Sequence, residues 1–87
     1  VDIDWEFPVG GGLPGNSTRP ADKQNYTLLL QAVRDKLDAA EVTDGKQYYL
    51  TIASGASPSY AANTELGNIA RVVDWINIMT YDLYGAW

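Results

Sequence analysis

Hydrophobic and polar positions along the chain fall into five blocks. From Val1 to Pro8 they alternate strictly, with Val1, Ile3, Trp5 and Phe7 set against Asp2, Asp4 and Glu6. A period of two is the mark of a strand, and it places all three carboxylates on one side. Pro8 ends this strand. Val9 to Pro20 carries four glycines, Asn16 and Ser17, and reads as a loop too long for a tight turn. From Ala21 to Ala40, Tyr26, Leu29, Leu30, Val33 and Leu37 recur at helical spacing, with Lys23, Arg34, Asp35 and Lys36 mostly opposite. That pattern predicts an amphipathic helix opened by Pro20, whose missing N–H costs nothing in a first turn. Thr43-Asp44-Gly45 breaks it.

The aromatic and β-branched run Tyr48 to Ala53 predicts a second strand. Ser54 to Tyr60 is small and polar and reads as a loop. Leu66, Ile69, Ala70 and Val73 predict a shorter helix over 64–73, capped by Asn63 or Thr64. Trp75 to Tyr81 is almost uninterruptedly apolar, as in a strand covered on both faces. The order strand, helix, strand, helix, strand implies an α/β fold of three parallel strands joined by crossovers with two intervening helices. Three strands cannot close a barrel, so the pattern is that of a slice of a larger sheet. Val1 opens inside one strand and Trp87 closes just after another, whereas domains usually end in exposed linkers, so residues 1–87 are expected to be an internal fragment of one domain.

Composition narrows the chemistry. The chain has 87 residues, 46% hydrophobic and 11% aromatic, with a formal charge of -5 and no Cys or His. This is a globular composition. Thiol chemistry, disulfides and His-based zinc sites are excluded, and the acidic balance disfavours nucleic acid. No apolar run approaches the length needed to span a bilayer, so no membrane association is expected.

Asp2, Asp4 and Glu6 carry the strongest chemical signal. On a solvated edge strand they would be ordinary, but Ile3 and Trp5 require cover on the other face and parallel strands are normally buried on both. Enclosed like charges raise at least one carboxyl pKa, leaving a protonated acid near neutrality. Glu6, nearest the C-terminal end of its strand, is best placed to protonate a leaving-group oxygen. Neighbours i and i+2 on a strand lie about 6.6 Å apart and point the same way, so they do not flank a sugar from opposite faces. One acid with helpers fits, and the nucleophile must come from elsewhere. On the last strand, parity puts Asn77, Met79 and Tyr81 on one face, and Asp82 falls at the same end as Glu6. Tyr84 and Trp87 add aromatic faces just beyond. Met79 and Tyr81 are each explicable alone as core residues. The Gly10-Gly11-Gly12 run lacks the spacing of a phosphate loop.

With these residues in view, V-D-I-D-W-E resembles the end of the D-x-x-D-x-D-x-E signature of family 18 glycoside hydrolases. M-T-Y-D, Met79 to Asp82, resembles that family's later strand motif. The likeness covers essentially the whole chain and is greatest to secreted bacterial chitinases. It implies a partial (β/α)8 TIM barrel containing the parent's fourth, fifth and sixth strands. The first Asp of the signature would lie two residues before Val1. It also implies retaining hydrolysis of β-1,4 links between N-acetylglucosamine units of chitin, the substrate's acetamido oxygen closing on C1 to an oxazolinium ion. Glu6 would be the general acid and base, Asp4 would orient the acetamido group, and Asp2 would tune Asp4. Tyr81 would donate to the acetamido oxygen and Asp82 would bind the distorted sugar. Met79 would line the pocket floor and Trp87 would stack on a sugar beyond the cleaved bond. The Glu6–Phe7 peptide is expected to be cis. No metal or organic cofactor is implied. The expected partner is chitin or a chito-oligosaccharide, with a monomeric, secreted parent and an inactive isolated fragment. An endo-β-N-acetylglucosaminidase of the same family, a chitin-binding lectin that lost catalysis, and a small acidic domain without a site are the competing readings. The intact Glu6, Asp4 and Tyr81 argue against the lectin.

Overall fold

In the computed structural model, residues 1–81 are described. Three short parallel strands form one sheet, β1 (Asp2–Ile3), β2 (Thr51–Ser54) and β3 (Trp75–Ile78), in the order β1-β2-β3. Between β1 and β2 runs the long helix α1 (Asp22–Asp44), and between β2 and β3 lie α2 (Pro58–Ala62) and α3 (Leu66–Val72). The sheet is open, as a segment of a barrel must be. Its strand order follows the chain order, which is the arrangement that sequential crossovers produce in a barrel wall.

One face of the sheet is covered. Tyr26 and Leu30 of α1, Leu50 and Ile52 around β2, and Ile69 of α3 are fully buried. Ile3, Trp5, Val33, Leu37, Val72, Val73 and Ile76 pack around them. The Trp5 ring meets Tyr26 edge-on at 5.2 Å between centroids, a favoured aromatic geometry. The inward stripe on α1 is therefore Tyr26, Leu30, Val33 and Leu37, while Leu29, which the spacing also admits, is largely exposed.

Element ends differ from the sequence reading for identifiable reasons. The β1 ladder stops at Ile3, because only Asp2↔Thr51 and Ile3↔Ile52 pair. The period-two alternation nevertheless persists to Phe7, with Asp2, Asp4 and Glu6 exposed and Ile3, Trp5 and Phe7 half-buried. Helix α1 continues through Thr43 and Asp44 to Gly45, whose φ of 64° suits the left-handed C-cap and whose N–H bonds the Glu41 carbonyl at 2.9 Å. Tyr48 and Tyr49 stand outside β2. The Tyr48 N–H donates to the Glu41 carboxylate at 2.9 Å and its carbonyl accepts from Arg34, so its backbone is tied to α1.

Ser54 to Tyr60 is not all loop. Ser57 caps α2 by accepting the Tyr60 N–H at 3.2 Å, and Pro58 opens the helix. Thr64 does not cap α3. Its hydroxyl donates back to the Tyr60 carbonyl at 2.8 Å, and α3 starts after Glu65. Nor is β3 covered on both faces: Trp75 is 51% and Ile78 60% exposed. Among the described residues no element lies along the outer edge of β3, the edge away from β2, or over the carboxylate face. The enclosure expected of those carboxylates is therefore absent from this segment, and the uncovered rows are those a larger sheet would bury.

Candidate active site

Register decides which residues share a face. Paired residues in a parallel ladder point the same way, and Asp2 pairs with Thr51, which pairs with Trp75. Ala53 pairs with Asn77 one step further on. The carboxylates of the first strand thus stand on the same face as Asn77 and, by alternation, Met79 and Tyr81. This is the face opposite the helices.

Along that face the carboxylates meet different surroundings. Asp2 accepts a hydrogen bond from the Thr51 hydroxyl at 2.8 Å. Asp4 and Glu6 face each other. A hydrogen bond with Asp4, followed by Asp4's negative charge and then burial, pushes the Glu6 carboxyl above its ordinary value. Two neighbouring carboxyls that share a proton behave in this way. Among the described residues no three carboxylates converge closely enough to hold a metal ion.

Glu6 borders two concavities. One, of about 390 Å³, is walled by Glu6, Phe7, Tyr60, Met79 and Tyr81 and by the turn from Gly55 to Ser59. Phe7 and Tyr60 meet edge-on at 5.9 Å, and Gly55 makes room for Tyr60, whose ring would crowd any side chain at that position. Burial pushes the Tyr60 phenol above its ordinary value. The other concavity, of about 430 Å³, is lined by Asp4, Trp5, Glu6, Asn16 and Ser17. The arrangement places one protonatable carboxyl between an aromatic-walled hollow and a polar one. It suits a substrate that lies across Glu6 with apolar faces on one side and polar groups on the other. The Glu6–Phe7 peptide is cis, as the resemblance implied.

The structure brings Glu6, Met79 and Tyr81 to one hollow, and Asp4 and Glu6 to the other. Asp2 borders neither and lies behind them toward the start of its strand. Asp82, Tyr84 and Trp87 lie outside the described residues. Several contributors escaped the sequence reading: Thr51, Asn16, Tyr60 and Asp22. A polar residue within the apolar run Tyr48 to Ala53 was the available sign for Thr51. Asn in a glycine-rich loop was the sign for Asn16.

The sequence profile of Glycosyl hydrolases family 18 matches residues 1–87. The chain belongs to that family. Among family relatives, it is 74% identical over 87 residues to Chitinase A1 of Niallia circulans, covering 100% of this chain and 12% of that protein. It superposes on a solved Bacillus thuringiensis chitinase with a TM-score of 0.94 and 62% identity, over 99% of this chain and 14% of that one. A family 18 N-acetylglucosaminidase from Paenibacillus barengoltzii gives a TM-score of 0.89 and 40% identity, over 99% of this chain and 25% of that one. The chain thus spans a small part of the family 18 proteins it matches. Its open three-strand sheet is a piece of their barrel.

Proposed function

We propose that residues 1–87 are an internal segment of a single family 18 catalytic domain, and that the parent is a chitinase. It would hydrolyse β-1,4 links between N-acetylglucosamine units, acting as a secreted monomer on chitin or chito-oligosaccharides. The observation that carries this reading is the Asp4–Glu6 pair. A carboxyl raised by a hydrogen-bonded neighbour, at the edge of an aromatic-walled hollow, is the group that a general acid requires.

Glu6 protonates the glycosidic oxygen and the acetamido oxygen of the sugar on the other side of the bond attacks C1. The C1–O bond breaks, so the products of this step are a leaving chain with a free 4-hydroxyl and an oxazolinium ion. The new reducing end appears only when water opens that ion at C1. Asp4 orients the acetamido group and stabilises the positive charge on it. Its partnership with Glu6 supports this, since losing the Glu6 proton to the leaving group frees Asp4 to interact with the substrate. Glu6, now a carboxylate, then takes a proton from the water that opens the ring, which regenerates the acid and retains configuration. Asp2, fixed by Thr51, sets the environment of Asp4. Tyr81 donates to the acetamido oxygen, Met79 floors the pocket, Asp82 holds the distorted sugar, and Trp87 stacks beyond the cleaved bond. The isolated segment is inactive, because its substrate face is open.

The likeness to an N-acetylglucosaminidase favours one second reading, in which the same centre serves a related N-acetylglucosamine-releasing activity. Product identity separates the two. Proton NMR of a chito-oligosaccharide digest by the full-length protein should show fresh β-anomer at the new reducing end, and Glu6→Gln should lose it by a factor of about 10³. Fresh α-anomer would overturn retention. Release of only terminal monosaccharide would move the reading to the N-acetylglucosaminidase.

A further inference from the structure

Beyond the half-buried Val9 and Gly10, the loop from Val9 to Pro20 buries no apolar side chain. Residues 11–20 are all exposed, Leu13 at 78%. Polar contacts hold it. At its base the Asp22 carboxylate, 5% exposed, accepts the N–H of Val9 at 3.1 Å and of Arg19 at 2.9 Å, drawing both ends together. Val9 takes a φ of 73° there, a strained conformation for a β-branched residue that has to be held. Halfway round, the N–H groups of Gly15 and Asn16 both bond the Leu13 carbonyl, at 3.0 and 3.2 Å, forming a tight turn that aims Asn16 back at the strand.

The Asn16 side chain then donates from Nδ2 to the main-chain carbonyl of Glu6 at 2.9 Å. Among the described residues, this is the one side-chain hydrogen bond from the loop's interior to the strand. Gly12, with a φ of 76°, is pressed against the same carbonyl. A Cβ there would overlap the Glu6 oxygen and lie 2.8 Å from Asn16 Nδ2. Glycine is therefore required both for its backbone angle and for the space it leaves. β1 has no ladder beyond Ile3, so the backbone around Glu6 lacks sheet bonds to fix it.

We propose that Asn16 is a positioning residue for Glu6: its amide holds the acid's main-chain carbonyl and thereby the direction in which the carboxyl leaves the strand. Gly12 allows the approach and Asp22 fixes the loop that delivers it. The inference rests on the reading of Glu6 as the acid. Rotation of the Glu6 peptide would carry its carboxyl away from Asp4 and out of line with the leaving oxygen. Displacements near 1 Å at a reacting group cost about 10²-fold in rate.

The test uses the full-length protein and a soluble chito-oligosaccharide. Asn16→Ala should lower kcat by about ten- to a hundredfold with KM changed by less than about threefold, the split expected when transition-state geometry and not binding is lost. The alkaline limb of the kcat/KM profile should move to lower pH, because Glu6 separates from Asp4. The other titratable groups around Glu6 are Tyr60 of α2 and Tyr81 beyond β3, and the substitution leaves both intact. Asn16→Asp keeps the shape but cannot donate, so it should lose as much kcat as the alanine variant. It also carries the test alone if alanine loosens the loop. The inference is overturned if either variant keeps kcat within about twofold. It is equally overturned if activity falls only in proportion to the folded fraction with the alkaline limb unmoved. Glu6→Gln in the same preparation separates the two claims. If that variant stays active, the reading of the acid falls; if it is dead while Asn16→Ala is unaffected, only the positioning role falls.

Discussion

The two ends of the sheet handle charge in opposite ways. At the N-terminal end of β2 and β3, Arg34 of α1 reaches Asp74 and Asp38 at 2.9 Å each and donates to the Tyr48 carbonyl at 3.2 Å. Asp74 also accepts the Leu50 N–H at 2.8 Å, so a helix and the entries to two strands meet on one ion-paired hub. At the other end Asp4 and Glu6 are set beside each other without a cation, and Arg34's counterpart is missing among the described residues. The Leu50 N–H, with Arg34 behind it, holds the Asp74 carboxyl below its usual value, while Asp4 pushes Glu6 above its own. One end shows how this sequence stabilises a carboxylate when stability is the need. The other withholds that treatment, and a carboxyl kept protonatable is the consequence.

The largest expected effect comes from removing the crowding itself. Asp4→Asn takes away the negative charge that helps raise Glu6 and leaves only a neutral amide oxygen to accept from it. In the full-length protein kcat should fall by about 10²-fold or more, and the alkaline limb of activity should move to lower pH as Glu6 returns toward ordinary acidity. A profile that keeps its limb while kcat falls would mean that Asp4 acts on substrate alone and leaves the acid's proton unaffected.

Stability should separate the ends next, with opposite signs. Asp74 has a lowered folded pKa. Its contribution is fully present above the ordinary value of 3.8 and is lost as pH falls through the folded one. Glu6 has a raised folded pKa. Its contribution is present below the ordinary value of 4.5 and is lost as pH rises through the folded one, so at neutral pH the ionised group opposes folding. Asp74→Asn should therefore lower Tm at neutral pH, with the deficit closing in acid. Glu6→Gln should raise Tm slightly at neutral pH, with the gain closing in acid. Melting curves across the carboxylate range check both. A Glu6→Gln variant less stable than wild type at neutral pH would show that the acid is held structurally after all.

What was legible in the sequence follows the range of the forces involved. The alternation Val1 to Phe7 and the spacing of Tyr26, Leu30, Val33 and Leu37 are local patterns that assign the faces observed. The same spacing also admitted Leu29, which is exposed, and put Arg34 on the outer face, whereas it turns in to Asp74. The length of the β1 ladder was not legible, because it depends on where β2 presents partners. Tyr48 left its strand because Glu41 and Arg34, seven and fourteen residues away, claim its backbone. Helix α2 is too short for a periodic signal, although Ser57-Pro58 marks its start. The carboxylates could be seen as a group, but their partners could not. Thr51, Asn16 and Asp22 gain their roles from contacts across the fold, which composition and spacing do not encode.

Thr51 makes the smallest and sharpest test of the comparison. Its hydroxyl to Asp2 is the compensating bond that the carboxylate row receives from the neighbouring strand, and Thr51 itself is 6% exposed. Thr51→Val keeps the branched shape that suits a strand and deletes the donor. A typical hydrogen bond contributes about 0.5–1.5 kcal/mol net, and removing a buried hydroxyl offsets part of that, so the change in stability should stay below about 1 kcal/mol. Activity should fall severalfold, because Asp2 is freed to turn and Asp4 loses a fixed neighbour. The ratio of the two effects is the informative quantity. If kcat drops while Tm holds, even the bonded member of the row serves the acid beside it. If Tm drops and kcat holds, the Asp2 bond belongs with the Arg34 hub as architecture, and the functional end of the sheet begins only at Asp4.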